Sequence, residues 1–181
     1  MTITDRLNFL DSDILANTKS NLVVFRGSLD AKLLILGEAP GWQENNQQVP
    51  FVGSSGSLLS EQLFKIGIDE CECIFINSVF RMPTGINGKI RCPTDSEIEH
   101  YRPYVNQIIK EVNPDIILVL GNSACYSLLQ KKGITSIRGV WHGNILPTFH
   151  PSHILRNPDK ISLFQNDLKK VSQSFHSKGI L

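Results

Sequence analysis

The stretch KLLILGEAPG, residues 32–41, carries the reading that decides the fold. It opens as an apolar run of strand length and breaks at once into Gly37-Glu38-Ala39-Pro40-Gly41, a loop whose glycines and proline fix the backbone. Three more apolar runs follow: CIFIN at 73–77, DIILVL at 115–120 and NILPTF at 144–149. They are near-continuous rather than alternating, the mark of strands covered on both faces. Helical patterns lie between them. Leu59, Leu63 and Ile66 share one face after a glycine turn at 53–56. Ile98, Tyr101, Val105, Ile108 and Val112 recur at helical spacing behind Thr94-Asp95-Ser96-Glu97, which has the form of a capping box. A shorter helix is predicted from near Asn122, carrying Leu128 and Leu129, and Ile161, Phe164, Leu168, Val171 and Phe175 form a last stripe. Strands that alternate with helices pair in parallel through right-handed crossovers. The predicted fold is α/β, a three-layer α/β/α sandwich with a central four-stranded parallel sheet. It forms one domain over residues 1–181, with residues 1–30 as a peripheral helix and loop.

Composition narrows the class. With 181 residues, 41% hydrophobic and 19% charged, the chain reads as a soluble globular protein and not as a disordered one. No apolar run approaches the roughly 20 residues that span a bilayer. The opening MTITDRLNFLDSD has early acids and no apolar core, so it reads as neither a secretory signal nor a transit peptide, and the expected compartment is the cytoplasm. The cysteines, Cys71, Cys73, Cys92 and Cys125, lack the paired spacings of zinc or iron–sulfur ligands and are expected to be small buried or idle thiols. Net charge is +1, but residues 74–93 and 116–158 contain no Asp or Glu. Brought onto one face, these stretches would make a field that a polyanion follows.

In doubly wound sheets, ligands bind at the carboxyl ends of the strands. That rule gathers residues 37–50, 77–93, 121–123 and 150–156. The first loop has neither the lysine of a phosphate loop nor the glycine spacing of a dinucleotide turn. What the loops supply is a carboxylate, a histidine, an aromatic ring and the amide of Asn77. Such a set suits binding a flat polar ring and stabilising charge on it, as in a hydrolase or a base-binding site.

Five ordered motifs then carry a resemblance. GEAPGWQENNQQVPFVGSSG at 37–56 matches, with the same spacing, a motif that reads GEAPG, a short acidic stretch, then PFVG-x-A-G. INSVFRMP at 76–83 looks like a strand ending in asparagine before an R-P-P loop; LVLG ends at Gly121, RGVW at Trp141 and TFHPSHILR at Arg156. In these segments the chain resembles the uracil-DNA glycosylase superfamily, and within it the family 4 type, from about Asn21 to Val171. The resemblance implies a monofunctional enzyme of base excision repair whose partner is uracil-containing DNA; nothing in the sequence suggests more than a monomer. The base leaves the stack and its N-glycosidic bond is hydrolysed to an abasic site.

Roles follow residue by residue from that resemblance. His150 would stabilise the departing uracil anion at O2, and Asn77 would read the uracil edge, since one amide both donates and accepts. Phe51 would stack on the flipped base, a contact of about 1–3 kcal/mol. Glu38 would position water or stabilise the cationic sugar. Ala39, where other members place an aspartate, and Gly41 would line the pocket. Glu44 would wall it near C5, or else be a solvated surface acid. Ile154 and Leu155 would fill the gap left by the flipped base, unless they are core. Ser55, Ser152, His153 and Arg156 would hold the DNA backbone.

The chain also departs from the pattern. Asn45 stands for an acid, Gln48 for a glycine and Ser55 for an alanine. Relatives carry four cysteines that bind a [4Fe–4S] cluster, a pair near the N-terminus and a pair in and after the asparagine loop. The N-terminal segment here has none, Arg81 and Tyr101 stand at the later two, and Cys92 falls between them unmatched. No cluster, metal or other cofactor is expected. Two other readings stay open: a glycosylase fold serving as a DNA- or protein-binding adaptor without chemistry, and a glycosylase for another deaminated base.

Overall fold

A computed structural model describes residues 13–18 and 20–179. Five strands form one sheet: β1 (Phe25–Gly27), β2 (Leu33–Gly37), β3 (Cys73–Asn77), β4 (Ile116–Leu120) and β5 (Ile145–Thr148), in the order β1-β3-β2-β4-β5. The last four run parallel as predicted. The expected four-stranded sheet is corrected by β1, which pairs antiparallel with β3, Phe25 opposite Ile76 and Gly27 opposite Ile74. Part of the segment assigned to a peripheral helix and loop is therefore sheet edge. Any helix before residue 13 falls outside the described residues. Three residues of FRG are too few to show a period, so only the neighbouring strand reveals them as a strand.

The helices are α1 (Trp42–Gln47), α2 (Ser54–Lys65), α3 (Asp95–Val112), α4 (Gly121–Leu129), α5 (Ile134–Ile137), α6 (Pro151–Arg156) and α7 (Ile161–Ser177). Successive strand residues face opposite layers. Leu34, Leu36, Ile74, Ile76 and Val119 pack with Ile98, Tyr101, Val105 and Ile108 of α3. Leu33, Ile35, Phe75, Leu118 and Leu146 pack with Leu59 and Leu63 of α2 and with Phe164, Leu168, Val171 and Phe175 of α7. The stripes read on α2, α3 and α7 are core or pack against it, whereas on α4 Ala124 and Cys125 carry the buried face, Leu128 packs at its margin and Leu129 stays outside it. The capping box of α3 is formed: the Thr94 hydroxyl accepts from Glu97 N–H at 3.3 Å, and Glu97 accepts from Thr94 N–H at 2.7 Å. No helix among the described residues is long and apolar enough to cross a membrane.

Strand register decides where the site lies. Gly37 pairs with Asn77, Leu36 with Val119 and Leu120 with Thr148, so the four parallel strands finish along one rim. The chain leaves β2 for β3 on one side and later returns for β4 on the other. A crevice opens where those directions part.

The acid-free stretches do not stay acid-free in space. Arg138 pairs with Asp167, Arg91 with Glu97 and Lys132 with Asp95. The continuous positive face expected from the linear charge pattern is thus reduced to scattered cations, among them Lys89, Lys131 and Arg156.

Candidate active site

Three loops close around the rim, and glycines allow the approach. A Cβ on Gly37 would come within 2.5 Å of both Asn77 Oδ1 and Phe51 Cζ, so that position holds the amide and the ring side by side. Ser78 fastens the asparagine loop to β2: its N–H and hydroxyl both donate to the Gly37 carbonyl, at 3.0 and 2.7 Å. Asn77 is buried at the end of β3, and its side-chain amide makes no hydrogen bond with the described residues. The amide lines the cavity, where its donor and acceptor are both offered to a ligand.

Phe51 adopts a left-handed backbone with φ 57°. For an aromatic residue this is strained by about 1–3 kcal/mol, and surrounding contacts must hold it. Glu44 does so. Its carboxylate accepts from Gly41 N–H at 3.1 Å, Val52 N–H at 3.1 Å and Gly53 N–H at 2.8 Å. Glu44 is therefore neither a free surface acid nor a bare wall; it clamps the two halves of the first motif around Phe51. Asn45 ties the same helix to the N-terminal segment, accepting from Asn21 N–H at 2.7 Å. Gln48 keeps the left-handed backbone, φ 56°, that explains a glycine in relatives.

His150 sits at the N-cap of α6 with its Nδ1 turned back on the helix. Ser152 N–H donates to Nδ1 at 3.2 Å and the Ser152 hydroxyl lies 2.8 Å from it. A backbone N–H only donates, so Nδ1 is the acceptor and the proton of the neutral ring rests on Nε2. Burial depresses the pKa of His150; Glu38 and Glu44 oppose the shift and Arg156 adds to it. The ring is thus a neutral donor above its depressed pKa. We expect activity that depends on this donor to stay level as pH falls through the ordinary histidine value near 6.5, and to fall only below it. A kcat/KM profile that declines with a pKa of 6.5 or above would contradict the neutral assignment. The same shift makes His150 a contributor to stability that is complete above pH ~6.5 and lost as pH falls toward the depressed value.

Glu38 follows β2, and its Oε2 accepts the Ser123 hydroxyl from α4 at 2.6 Å. The sequence singled out residues 121–123 as a rim loop without assigning Ser123 a role; this contact does. Ala39, Gly41, Glu44, Phe51, Ser55, Asn77 and His150 all line one cavity of about 300 Å³. Trp42, Gln43 and Ser54 line it as well, unnoticed because nothing but their neighbours in the motif marked them. The volume lies at the lower end of the range for small-ligand pockets.

Of the expected DNA-contacting residues Ser55 lies on α2 at the cavity, and the others lie on α6, where they divide. Ile154 is 2% exposed and packs in the core with Leu59 and Phe164, which corrects its assignment as a wedge, whereas Leu155 is 47% exposed. Adjacent helical residues point about 100° apart, so one side chain reaches the core and the next cannot. His153 stacks on Phe149 with ring centroids 4.9 Å apart and meets Lys160 Nζ at 3.3 Å. Arg156 is exposed and forms no ion pair among the described residues.

The residues at the cluster positions do not fit a [4Fe–4S] group. Arg81 Nε donates to Asp13 Oδ2 at 2.7 Å and Nη1 to the Ser20 carbonyl at 2.5 Å. Tyr101 is buried with its ring edge on Phe80, and burial together with the Asp13 charge pushes its phenol pKa up. A cation, a phenol and a carboxylate fill the space that thiolates would need. Of the remaining thiols Cys71 and Cys92 are exposed, and burial pushes Cys125 up to about 12. No group of three metal-ligating side chains occurs among the described residues.

Fold and site together define a doubly wound α/β protein whose strand-end cavity is lined by an aromatic ring, an amide and a neutral histidine. The chain belongs to the uracil-DNA glycosylase superfamily, whose family model matches residues 24–175. It is 35% identical to the type-4 uracil-DNA glycosylase of Thermotoga maritima over 84% of this chain and 78% of that protein. Identity to the type-4 uracil-DNA glycosylase of Sulfurisphaera tokodaii is 32%, over 86% of this chain and 75% of that protein. A match of 30% identity, over 84% of this chain, spans 17% of a DNA polymerase of Bacillus phage SP01.

Proposed function

We propose that the chain excises uracil from DNA by hydrolysing its N-glycosidic bond, leaving an abasic site. The observation that carries this reading is the buried, unpartnered amide of Asn77 lining the same cavity as Phe51 and the Nε2 donor of His150. The base leaves the stack and enters the cavity against Phe51. Asn77 donates to and accepts from the uracil edge; cytosine presents the reverse pattern there and is refused. As the bond between C1′ and N1 breaks, its electron pair stays on uracil, and His150 Nε2–H donates to the oxygen where charge collects. Such stabilisation is the largest single contribution available. Glu38, oriented by Ser123, holds the water whose oxygen then bonds to C1′; the O–H bond breaks as Glu38 takes the proton, which ends on the uracil anion. Ala39 supplies no second carboxylate, so leaving-group stabilisation carries most of the rate. Ser55, Ser152 and Arg156 hold the backbone and Leu155 fills the vacated stack. The chemistry runs without an iron–sulfur cluster, whose cysteine positions hold Arg81 and Tyr101.

Asn77→Asp tests the reading, because a carboxylate keeps the acceptor and loses the donor. On an oligonucleotide with one central uracil, kcat/KM is expected to fall roughly 10- to 100-fold, the equivalent of one unsatisfied buried polar group. Unchanged uracil kinetics would place the pocket elsewhere. Hypoxanthine, thymine and unmodified DNA run beside uracil; release of hypoxanthine alone would favour a different deaminated base. Binding to DNA without release of any base would favour the adaptor.

A further inference from the structure

Strand β1 lengthens the sheet, and it also delivers Arg26 to the support of the Phe51 ring. Arg26 lies opposite Phe75 in the antiparallel register, so the two side chains leave the same face. The guanidinium covers the Phe75 ring with its Cζ 3.9 Å from the centroid, a cation–π distance. Phe75 in turn packs on Phe51, with centroids 5.7 Å apart. The same guanidinium reaches the chain just ahead of Phe51: Nε donates to the Pro50 carbonyl at 3.2 Å. Its outer nitrogens face Glu70, Nη1 donating to Oε2 at 2.5 Å and Nη2 to Oε1 at 3.4 Å. The Ser60 hydroxyl donates to that carboxylate as well.

A cation on an edge strand often serves only to discourage pairing with another sheet, and it then stands in water. Arg26 does not: each nitrogen of its guanidinium has an acceptor. Stability does not account for the arrangement either. The Arg26 and Glu70 side chains are 25% and 36% exposed, and ion pairs open to water contribute little. What the contacts fix is a position. Phe51 keeps its φ of 57° only while its surroundings hold it there. Glu44 takes the N–H groups that follow it, those of Val52 and Gly53, and Arg26 takes the carbonyl that precedes it. Phe75, itself under the guanidinium, supports the ring that lines the cavity.

We propose that Arg26 is a positioning residue for Phe51, fixing the plane on which the flipped base stacks through the Pro50 carbonyl and the Phe75 ring. This rests on the reading of Phe51 as the stacking surface for uracil and deepens it, adding a residue outside the five motifs. Glu70 and Ser60 serve by holding the guanidinium. A ring displaced by a fraction of its width loses overlap with the base while the rest of the site stays whole, so the effect falls on the base and not on the DNA backbone.

The test reads the base alone. Affinity is measured by anisotropy on two duplexes. One carries a tetrahydrofuran abasic analogue, the other a 2′-fluoroarabino uracil nucleotide whose fluorine destabilises the sugar cation and blocks cleavage. The ratio of the two affinities is what the base contributes. Arg26→Met keeps the apolar stem over Phe75 and removes the guanidinium. It is expected to lower the ratio about fivefold, the lower end of one base–aromatic stack, with abasic affinity changed less than about twofold. An unchanged ratio overturns the proposal, and equal losses on both duplexes overturn it as a general effect on the fold. Should Arg26→Met fail to fold, Arg26→Lys decides by the same ratio: it keeps a charge for Glu70 but has no planar fork to reach Pro50 as well. Phe51→Ala runs beside them and separates the failures. If it too leaves the ratio unchanged, the stacking role of Phe51 falls; a large loss there with none in Arg26→Met overturns Arg26 alone. Uracil release by the wild type, measured on an ordinary uracil duplex, tests the chemistry by itself.

Discussion

His150→Ala is expected to slow uracil release about 10²–10³-fold at saturating DNA, the usual effect of removing one donor aimed at a developing oxyanion. The geometry makes the expectation specific. The tautomer is set by Ser152 N–H on Nδ1, so the only proton the neutral ring can offer is the one on Nε2. Burial keeps the ring uncharged, and a neutral donor strengthens its bond most when the base becomes an anion. Alanine removes that bond from the transition state but takes little from the bound substrate, so KM should change far less than kcat. The fold should survive: His150 is linked to the helix through Ser152, and α6 keeps Pro151 at its first position and Ile154 in the core. Single-turnover rates on a uracil duplex, with affinity for the abasic analogue as the control for integrity, separate the cases. A rate within about threefold of wild type would mean that charge on the leaving base is met by some other group. A loss of binding as large as the loss of rate would mean that His150 serves the structure of the rim.

The rim itself was legible because each apolar run ends in residues that a strand cannot continue, and the strand-end rule then needs no knowledge of the sheet order. KLLIL ends before Gly37 and CIFIN ends on Asn77, and register brings those two residues to the same level. What stayed hidden depends on partners distant in sequence. Strand β1 is three residues long and exists only because β3 presents an open edge to it. Glu44 looks the same in sequence whether its carboxylate faces solvent or three backbone N–H groups. Ile154 and Leu155 are one motif to the eye, and only the angle of a short helix sends one inward. The acid-free stretches misled for the same reason: Asp167 and Asp95, far along the chain, neutralise Arg138 and Lys132 in space.

Asp13 and Arg81 make the same point and carry the second large effect. The Asp13 side chain is fully buried and that of Arg81 is 10% exposed, at an N–O distance of 2.7 Å. Breaking such a buried pair by removing one member costs about 3–5 kcal/mol. Asp13→Ala removes the carboxylate that meets the guanidinium and also frees Leu15 N–H, which donates to Asp13 Oδ1 at 2.8 Å. For a domain of this length that loss corresponds to a Tm lower by roughly 6–20 °C. Replacing both partners with apolar residues, Asp13→Leu with Arg81→Met, takes both buried charges out together and should be far less harmful than the two single losses added together. The Ser20 carbonyl that Arg81 Nη1 reaches then keeps the double variant somewhat below wild type. Urea unfolding of the two singles and the double gives the coupling. Values that simply add would show that the ion pair is not a unit, whereas a coupling of more than about 1 kcal/mol would show that it is. Iron analysis of the purified wild type belongs beside it, because stoichiometric iron would mean that thiols outside this pair hold a cluster after all. The pair joins the N-terminal segment to the loop four residues past Asn77. In relatives the resemblance gives that joint to cysteines and iron; in this chain it is a carboxylate and a guanidinium, which need neither metal nor thiolate to form.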